Sequence, residues 1–119
     1  MFGVRACDYK AFSVLDNVFL QEPVDTYYKE KREAAIIFTL ACGKPQQSCF
    51  CSVFGIDASQ PMGDVTCWLD ENALYLRANT EKGEKALSLV ANLTEKCDDK
   101  HVEELKGEIK KKLEKLPYK

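Results

Sequence analysis

Residues 1–20 carry a hydrophobic pattern that predicts a strand followed directly by a helix. The segment "FGVRAC" (2–7) has the short β-prone character of a strand. From residue 8 to residue 20, apolar side chains recur at helical spacing, and Asp8 is well placed to cap the first turn. The apolar stripe expected to face inward comprises Ala11, Phe12, Leu15, Val18 and Phe19.

The next segments predict a second, charged helix and a buried strand. Residues 21–33 begin as a turn and continue as a short helix, for which Asp25 is the expected cap. The segment "AAIIFTLAC" (34–42) is nearly continuous in apolar residues, which is typical of a strand covered on both faces of a parallel sheet. The strand-helix-helix-strand order predicts a parallel crossover with the two strands close together. Cys7 and Cys42 would then end neighbouring strands at the carboxyl edge of the sheet, where open α/β sheets usually build their sites.

A long loop and a hairpin follow this second strand. Residues 43–63 are rich in Gly, Pro, Gln and Ser, and a loop of this length is uncommon in a compact domain unless it has a function. Two alternating segments, 64–69 and 73–78, predict a β-hairpin. Cys67 lies on the apolar face of the first segment, so we interpret it as a buried core thiol.

Two helices are expected in the last third of the sequence. Residues 80–93 predict the first, with Thr80 as its cap, and residues 98–116 predict the second. The expected inner stripes are Ala86, Leu89, Val90 and Leu93 in the first helix, and Val102, Leu105, Ile109, Leu113 and Leu116 in the second. The second stripe is narrow, so this helix is either the last core helix of the domain or a helix that docks on another segment, and the width slightly favours docking.

Together these elements define the predicted fold. We expect an α/β domain with a short mixed sheet, a parallel strand-helix-strand core, a β-hairpin and flanking helices. A chain of 119 residues has the length of one domain, 1–119. Its parts are the strand-helix-helix-strand unit (1–42), the cysteine-bearing loop (43–63), the hairpin (64–78) and the two helices (80–116).

Composition and charge exclude some classes of function. The formal net charge is -2, so no basic field points to nucleic acid or to an anionic membrane surface. No apolar run approaches the roughly 18 residues that suggest a membrane span. The sequence starts "MFGVRACDYK", without the apolar stretch of a secretory signal, and we expect a cytoplasmic protein with reduced thiols. With one histidine the chain offers little acid–base machinery, and we assign it no catalytic residues.

Six cysteines make thiol chemistry the main candidate for function. Four of them are expected to converge: Cys7 and Cys42 at adjacent strand ends, and Cys49 and Cys51 on the loop that leaves the second strand. Four thiolates suit either a tetrahedral zinc ion or an iron–sulfur cube. The spacing C-x34-C-x6-C-x-C matches neither zinc ribbons nor bacterial ferredoxins, so unrelated buried cysteines are the alternative.

Several motifs in this order resemble one protein family. They are "FGVRACD" (2–8), "VDTYYKEKRE" (24–33), "LACGKPQQSCFCSVFG" (40–55) and "EKGEKAL" (81–87). They are similar to segments of the β-subunit family of cytoplasmic hydrogenases and sulfhydrogenases, a 4Fe-4S dicluster-type family that includes the A subunit of anaerobic sulfite reductase. The resemblance covers roughly residues 2–90.

This resemblance implies an electron-transfer subunit of a multi-subunit anaerobic oxidoreductase, such as a hydrogenase or sulfite reductase. In such complexes iron–sulfur centres pass electrons between a flavin-containing subunit and a catalytic subunit. Cys7, Cys42, Cys49 and Cys51 match the cysteines of the family motifs, which makes a [4Fe-4S] cluster the expected cofactor, ahead of zinc. Ala6 stands where the family has proline, and the family's ferredoxin-like C-x2-C-x2-C-x3-C-P runs are missing from this sequence. We therefore expect either a domain excised from a longer subunit or a stand-alone relative.

Interpretations from other classes stay open beside the electron-transfer domain. One is a structural zinc-binding or metal-free assembly domain that mediates subunit contacts. Another is a thiol–disulfide switch that uses Cys49 and Cys51, which is disfavoured because the usual C-x-x-C motif is missing.

Overall fold

A computed structural model describes residues 1–97 and 99–117 and confirms the predicted α/β class. Within these residues one mixed sheet has the strand order β1 (Phe2–Val4), β2 (Phe38–Leu40), β3 (Val65–Leu69) and β4 (Leu74–Ala78). Strands β1, β2 and β3 run parallel, whereas β4 is antiparallel to β3. The flanking helices are α1 (Ala6–Phe19), α2 (Thr26–Ala34), α3 (Glu81–Leu89) and α4 (Lys100–Glu114). None of these helices is long and apolar enough to cross a membrane.

The parallel crossover and the hairpin both form as predicted. Phe2 lies opposite Phe38 in the β1–β2 pair, and β3 and β4 pair along their full length, from Val65 opposite Ala78 to Leu69 opposite Leu74. Strand β3 also pairs with β2, so it becomes a central strand that is buried on both faces.

Helix α1 begins earlier than the sequence pattern predicts. It starts at Ala6, with Arg5 at the N-cap position and no side chain capping the turn. The prediction of Asp8 as cap is therefore wrong, although its charge in the first turn still interacts favourably with the helix dipole. As a consequence, Cys7 lies in the first turn of α1 rather than in strand β1.

The caps of the two charged helices agree with the sequence prediction. The backbone N–H of Tyr28 donates to the Asp25 carboxylate at 3.0 Å at the start of α2. The backbone N–H of Gly83 donates to the Thr80 hydroxyl at 3.1 Å at the start of α3. Each cap satisfies one of the free N–H groups in a first helical turn.

The predicted inner stripe of α1 is wrong except at Phe12. Leu15 is 41% exposed and Val18 is 64% exposed, whereas the half-buried side of α1 includes Phe12 and Asp16. The Asp16 carboxylate accepts hydrogen bonds from the Tyr28 hydroxyl at 2.7 Å and from the Arg32 guanidinium at 3.2 Å. These charge-assisted bonds turn the Asp16 side of α1 toward α2 and leave the other members of the predicted stripe exposed.

The predicted stripe of α3 is also wrong in part. Leu89 and Leu93 are 82% and 80% exposed, because the α-helix ends at Leu89 and a 3₁₀ turn follows at Ala91–Leu93. Gly83 is the buried position of this helix. A Cβ atom there would lie 2.0 Å from the backbone oxygen of Asp64, so glycine permits the close packing of α3 on the chain before β3.

Helix α4 is a core helix, and the docking interpretation of its stripe is wrong. The Trp68 core consists of the buried residues Ala41, Trp68, Val102 and Ile109, with Tyr75, Leu105 and Leu113 packed against them. Two cations lie over the indole ring of Trp68: Arg77 at 5.2 Å and Lys106 at 5.3 Å from the ring centroid. The buried ammonium of Lys106 is paired with Glu103 at 3.2 Å.

The described domain is flat. Its extents are 44 × 43 × 16 Å, and its radius of gyration of 15.8 Å exceeds the roughly 13–14 Å expected for a compact domain of this length. A domain only 16 Å thick has room for one layer of buried side chains. Several apolar residues of α1 and of the loop 43–63 therefore stay exposed.

Candidate metal centre

Cys42 follows β2 and is held at the carboxyl edge of the sheet. The backbone N–H of Ala41 donates to the Cys67 carbonyl at 2.9 Å, and the N–H of Cys42 donates to the Ala58 carbonyl at 3.0 Å. The first bond connects the end of β2 to β3. The second connects it to Ala58, in the later, returning part of the loop 43–63. Cys42 is therefore half-buried between two fixed backbone segments.

Cys49 is placed by a turn that binds its sulfur. The backbone N–H of Gln46 donates to the Cys49 sulfur at 3.2 Å, and the N–H of Cys49 donates to the Gln46 carbonyl at 3.0 Å. A backbone N–H directed at sulfur is a common partner for a sulfur that binds metal. The sequence pattern did not predict this role for Gln46.

Cys51 begins the 3₁₀ turn Cys51–Phe54. Gly55 ends the turn with a φ of 68°, and the N–H of Ile56 donates to the Cys51 carbonyl at 3.1 Å. Burial raises the pKa of the Cys51 thiol, and negative charge on Cys49 and Cys42 raises it further; the N–H groups of Ser52 and of Cys51 itself act in the opposite direction. Cys42 and Cys49 are thus close enough to Cys51 to affect the pKa of its thiol.

Cys7 lies on an exposed site in the first turn of α1, on a different element from the other three cysteines. Its neighbour Ala6 lines an open cleft of about 510 Å³, whose opposite wall consists of residues 55–57 and 60–62. The start of α1 and the segment after Cys51 therefore face a common cleft.

The described residues do not form a closed metal site. Among residues 1–97 and 99–117, no three His, Cys, Asp or Glu side chains are grouped closely enough to hold a metal ion. The structure brings Cys42, Cys49 and Cys51 into one neighbourhood, whereas Cys7 is carried on a separate helix. Closing a four-thiolate site would require the turns around these residues to contract.

The returning part of the loop is anchored to the Trp68 core. The indole N–H of Trp68 donates to the Ser59 carbonyl at 2.8 Å. The Asp57 carboxylate accepts hydrogen bonds from the Ser59 N–H at 3.0 Å and from its hydroxyl at 2.5 Å. Burial raises the pKa of Asp57, but the Ser59 bonds and the charge of Lys110 outweigh that effect and hold it below its usual range. The loop is thus fixed at one end by β2 and at the other by Trp68.

Two lysines of α4 lie beside the loop, and the sequence pattern gave no sign of them. The ammonium of Lys112 donates to the Gly43 carbonyl at 2.9 Å across a separation of 69 residues. The positive charge of Lys110 helps to lower the pKa of Asp57, toward the other end of the loop. Only the packing of α4 on the Trp68 core brings these positive charges to the cysteines.

The two other cysteines lie away from this loop. Cys67 is fully buried in β3, and burial raises the pKa of its thiol to about 11, so the prediction of a core thiol is confirmed. Cys97 is exposed between α3 and α4.

Comparison with known proteins places the chain near one oxidoreductase subunit. Over 83 residues, which are 70% of this chain, the sequence is 32% identical to the Sulfhydrogenase 2 subunit beta of Pyrococcus furiosus. The chain is related to this hydrogenase beta subunit. It spans about a quarter (25%) of the length of that relative. No family model matches the sequence, and no solved structure matches it.

The sequence relation to a sulfhydrogenase beta subunit supports the hydrogenase part of the predicted resemblance. The link to anaerobic sulfite reductase stays a prediction. The donor set of the loop suits an iron–sulfur cluster, since cysteine sulfurs bind such clusters and backbone N–H groups point at the sulfurs of Cys49 and Cys51.

Proposed function

We propose that this chain is the iron–sulfur electron-transfer domain of a multi-subunit anaerobic oxidoreductase, such as a hydrogenase or a sulfite reductase. The observation that carries the proposal is the placement of Cys42, Cys49 and Cys51 in one neighbourhood, with backbone N–H groups directed at two of their sulfurs. The sequence relation to a sulfhydrogenase beta subunit supports the same conclusion from an independent direction.

Four thiolates would hold the proposed [4Fe-4S] cluster: Cys7, Cys42, Cys49 and Cys51. The cluster, when bound, supplies reversible one-electron transfer. The N–H groups near Cys49 and Cys51 stabilise negative charge on sulfur, which favours the reduced state and raises the reduction potential.

Protein groups around the loop help to hold it in place. The Trp68 hydrogen bond to Ser59 attaches the later part of the loop to the core. The rings of Phe50 and Phe54, which flank Cys51 in the sequence, pack with their centroids 5.7 Å apart and are both more than half exposed.

Other subunits would supply the chemistry at both ends of the electron path. We expect a flavin-containing subunit on one side and a catalytic subunit on the other, with no nucleic acid or membrane partner. A cytoplasmic location is part of the same proposal. The domain itself would serve as a relay, and we assign it no catalytic residue.

The proposal is tested by the metal content of anaerobically purified and reconstituted protein. We expect about four irons and four sulfides per chain, with a broad absorbance band near roughly 400 nm. The double variant Cys49→Ser/Cys51→Ser should lose the iron and the band. The matched control Cys97→Ser changes an exposed cysteine outside the loop and should keep both.

Two outcomes would contradict the proposal. Wild-type protein that takes up no iron after anaerobic reconstitution cannot be a cluster domain. Protein that instead binds one zinc per chain, lost in the double variant, would identify the structural zinc-binding assembly domain.

A further inference from the structure

The cysteine loop exposes a group of large apolar side chains. Phe50, Val53 and Phe54 are 54%, 55% and 63% exposed, and the rings of Phe50 and Phe54 are 5.7 Å apart. The 3₁₀ turn that starts at Cys51 fixes all three side chains on one short segment. Scattered exposed apolar residues need no explanation, but three neighbouring ones on a fixed turn are typical of a contact surface.

Positive charge lies toward both ends of the loop that carries this apolar group. Lys44 is exposed on the loop itself. The exposed Lys112 reaches the Gly43 carbonyl at 2.9 Å, and Lys110 lies within electrostatic reach of Asp57. Asp57 is the one acidic residue in the loop sequence 43–63, so the loop and the α4 lysines beside it carry more positive than negative charge. The formal net charge of the whole chain is -2, which makes this positive rim of the loop a local feature.

We propose that Phe50, Val53 and Phe54, together with the lysines on and beside the same loop, form the docking surface for an acidic protein that exchanges electrons with this domain. The inference rests on the proposed function, because it assigns a partner to the same loop. An apolar centre excludes water between two redox sites, while a positive rim attracts and orients an acidic partner. Electron-transfer encounters of this kind have small interfaces and dissociate readily.

The binding test uses the iron-loaded full chain and two small redox proteins of opposite charge. A plant-type [2Fe–2S] ferredoxin is the acidic probe, and mitochondrial cytochrome c is the basic control. Calorimetry at about 20 mM salt should give a Kd of about 10–100 μM for the acidic probe, weakening about fivefold or more at about 200 mM salt because the rim charges are screened. Cytochrome c should show no saturable binding.

Surface variants separate the apolar and the charged contributions. Phe54→Ser should weaken binding about tenfold, whereas Leu89→Ser, at an 82% exposed leucine of α3, should leave it unchanged. Lys44→Glu should weaken binding about threefold to tenfold and flatten the salt dependence. Lys85→Glu is the matched control, since Lys85 is an exposed lysine of α3. Circular dichroism would verify that each variant is folded.

The inference and the proposed function can fail separately. Iron-loaded protein that does not bind the acidic probe, or that binds both probes equally, overturns the docking surface and leaves the cluster domain intact. A Phe54→Ser or Lys44→Glu variant that binds the acidic probe as well as its control variant does would also overturn the docking surface. Wild-type protein without iron overturns the proposed function, and the metal content of the sample is measured before each titration.

Discussion

The Trp68 core and the cysteine loop use similar residues in opposite ways. In the core, Trp68 is 1% exposed and Lys106 lies buried over its ring. At the loop, Phe50 and Phe54 are more than half exposed, and Lys110 and Lys112 of α4, which lie beside the loop, are also exposed. Helix α4 therefore closes the Trp68 core with one face, while its exposed lysines lie beside the cysteine loop.

The cysteines of these two regions differ in the same way. Cys67 sits fully buried in β3, where burial raises its thiol pKa to about 11 and makes it unreactive. Cys49 and Cys51 are half-buried and receive backbone N–H groups at sulfur. This difference in burial indicates that the packing that stabilises the fold lies between the hairpin and α4. The loop contributes less to that packing, and its cysteines remain accessible to a cofactor or a partner.

The contrast between buried and accessible thiols would fail at once if Cys67 and the exposed Cys97 reacted alike. In metal-free native protein treated with iodoacetamide at pH 8, Cys67 should alkylate at least about 10³-fold more slowly than Cys97, because its exposure requires unfolding. Mass spectrometry of the digested protein measures both rates in one sample. Rates within tenfold of each other would show that the Trp68 core opens as easily as the surface.

Removing the central aromatic residue tests how much stability lies in the Trp68 core. Trp68→Ala should lower the free energy of unfolding by about 3–5 kcal/mol, since it empties the core and removes the hydrogen bond to Ser59. Urea denaturation gives the value. Leu69→Ala is the control on the same strand, and it should cost much less because Leu69 is 63% exposed. Equal losses for the two variants would contradict the proposed location of the core.

Two glycines sharpen the contrast between packed and open helix faces. Gly83→Ala should destabilise the fold by about 1–3 kcal/mol, because the new methyl group meets the backbone of Asp64. Gly107→Ala on α4 has no atom within 4 Å and should stabilise the fold by about 0.5–1 kcal/mol through higher helix propensity. Thermal unfolding of both variants provides the measurement. A Gly83→Ala variant at least as stable as the wild type would mean that α3 does not pack closely on Asp64.

A smaller effect is expected where the cysteine-bearing helix meets α2. Asp16→Asn should cost about 1 kcal/mol, because it weakens the bonds from Tyr28 and Arg32 that join α1 to α2. Glu104→Gln is the matched control, since its pair with His101 is largely exposed and should contribute no measurable stability. Urea denaturation at pH 7 compares the two. An equal loss of stability in Glu104→Gln and Asp16→Asn would show that the Asp16 bonds stabilise the fold no more than an exposed ion pair does.

The sequence predicted part of the candidate site. The motif cysteines and the long loop were visible as residue types and spacings, and the carboxyl edge of the sheet followed from the strand order. The Gln46 N–H bond to Cys49 and the approach of Lys112 to Gly43 were not visible. The first depends on the conformation of one turn, and the second joins residues far apart along the chain.

Sequence by itself determined the order and type of the elements and the caps of α2 and α3. Asp25 and Thr80 cap their helices, and residues 65–78 form a hairpin, because these features depend on hydrogen bonds and periodicities within a few residues. The tertiary structure alone decided which side of α1 turns inward and that α4 closes the Trp68 core. Those outcomes depend on the burial of surfaces from distant segments, since a helix with several apolar positions can rotate until the best set of partners is satisfied.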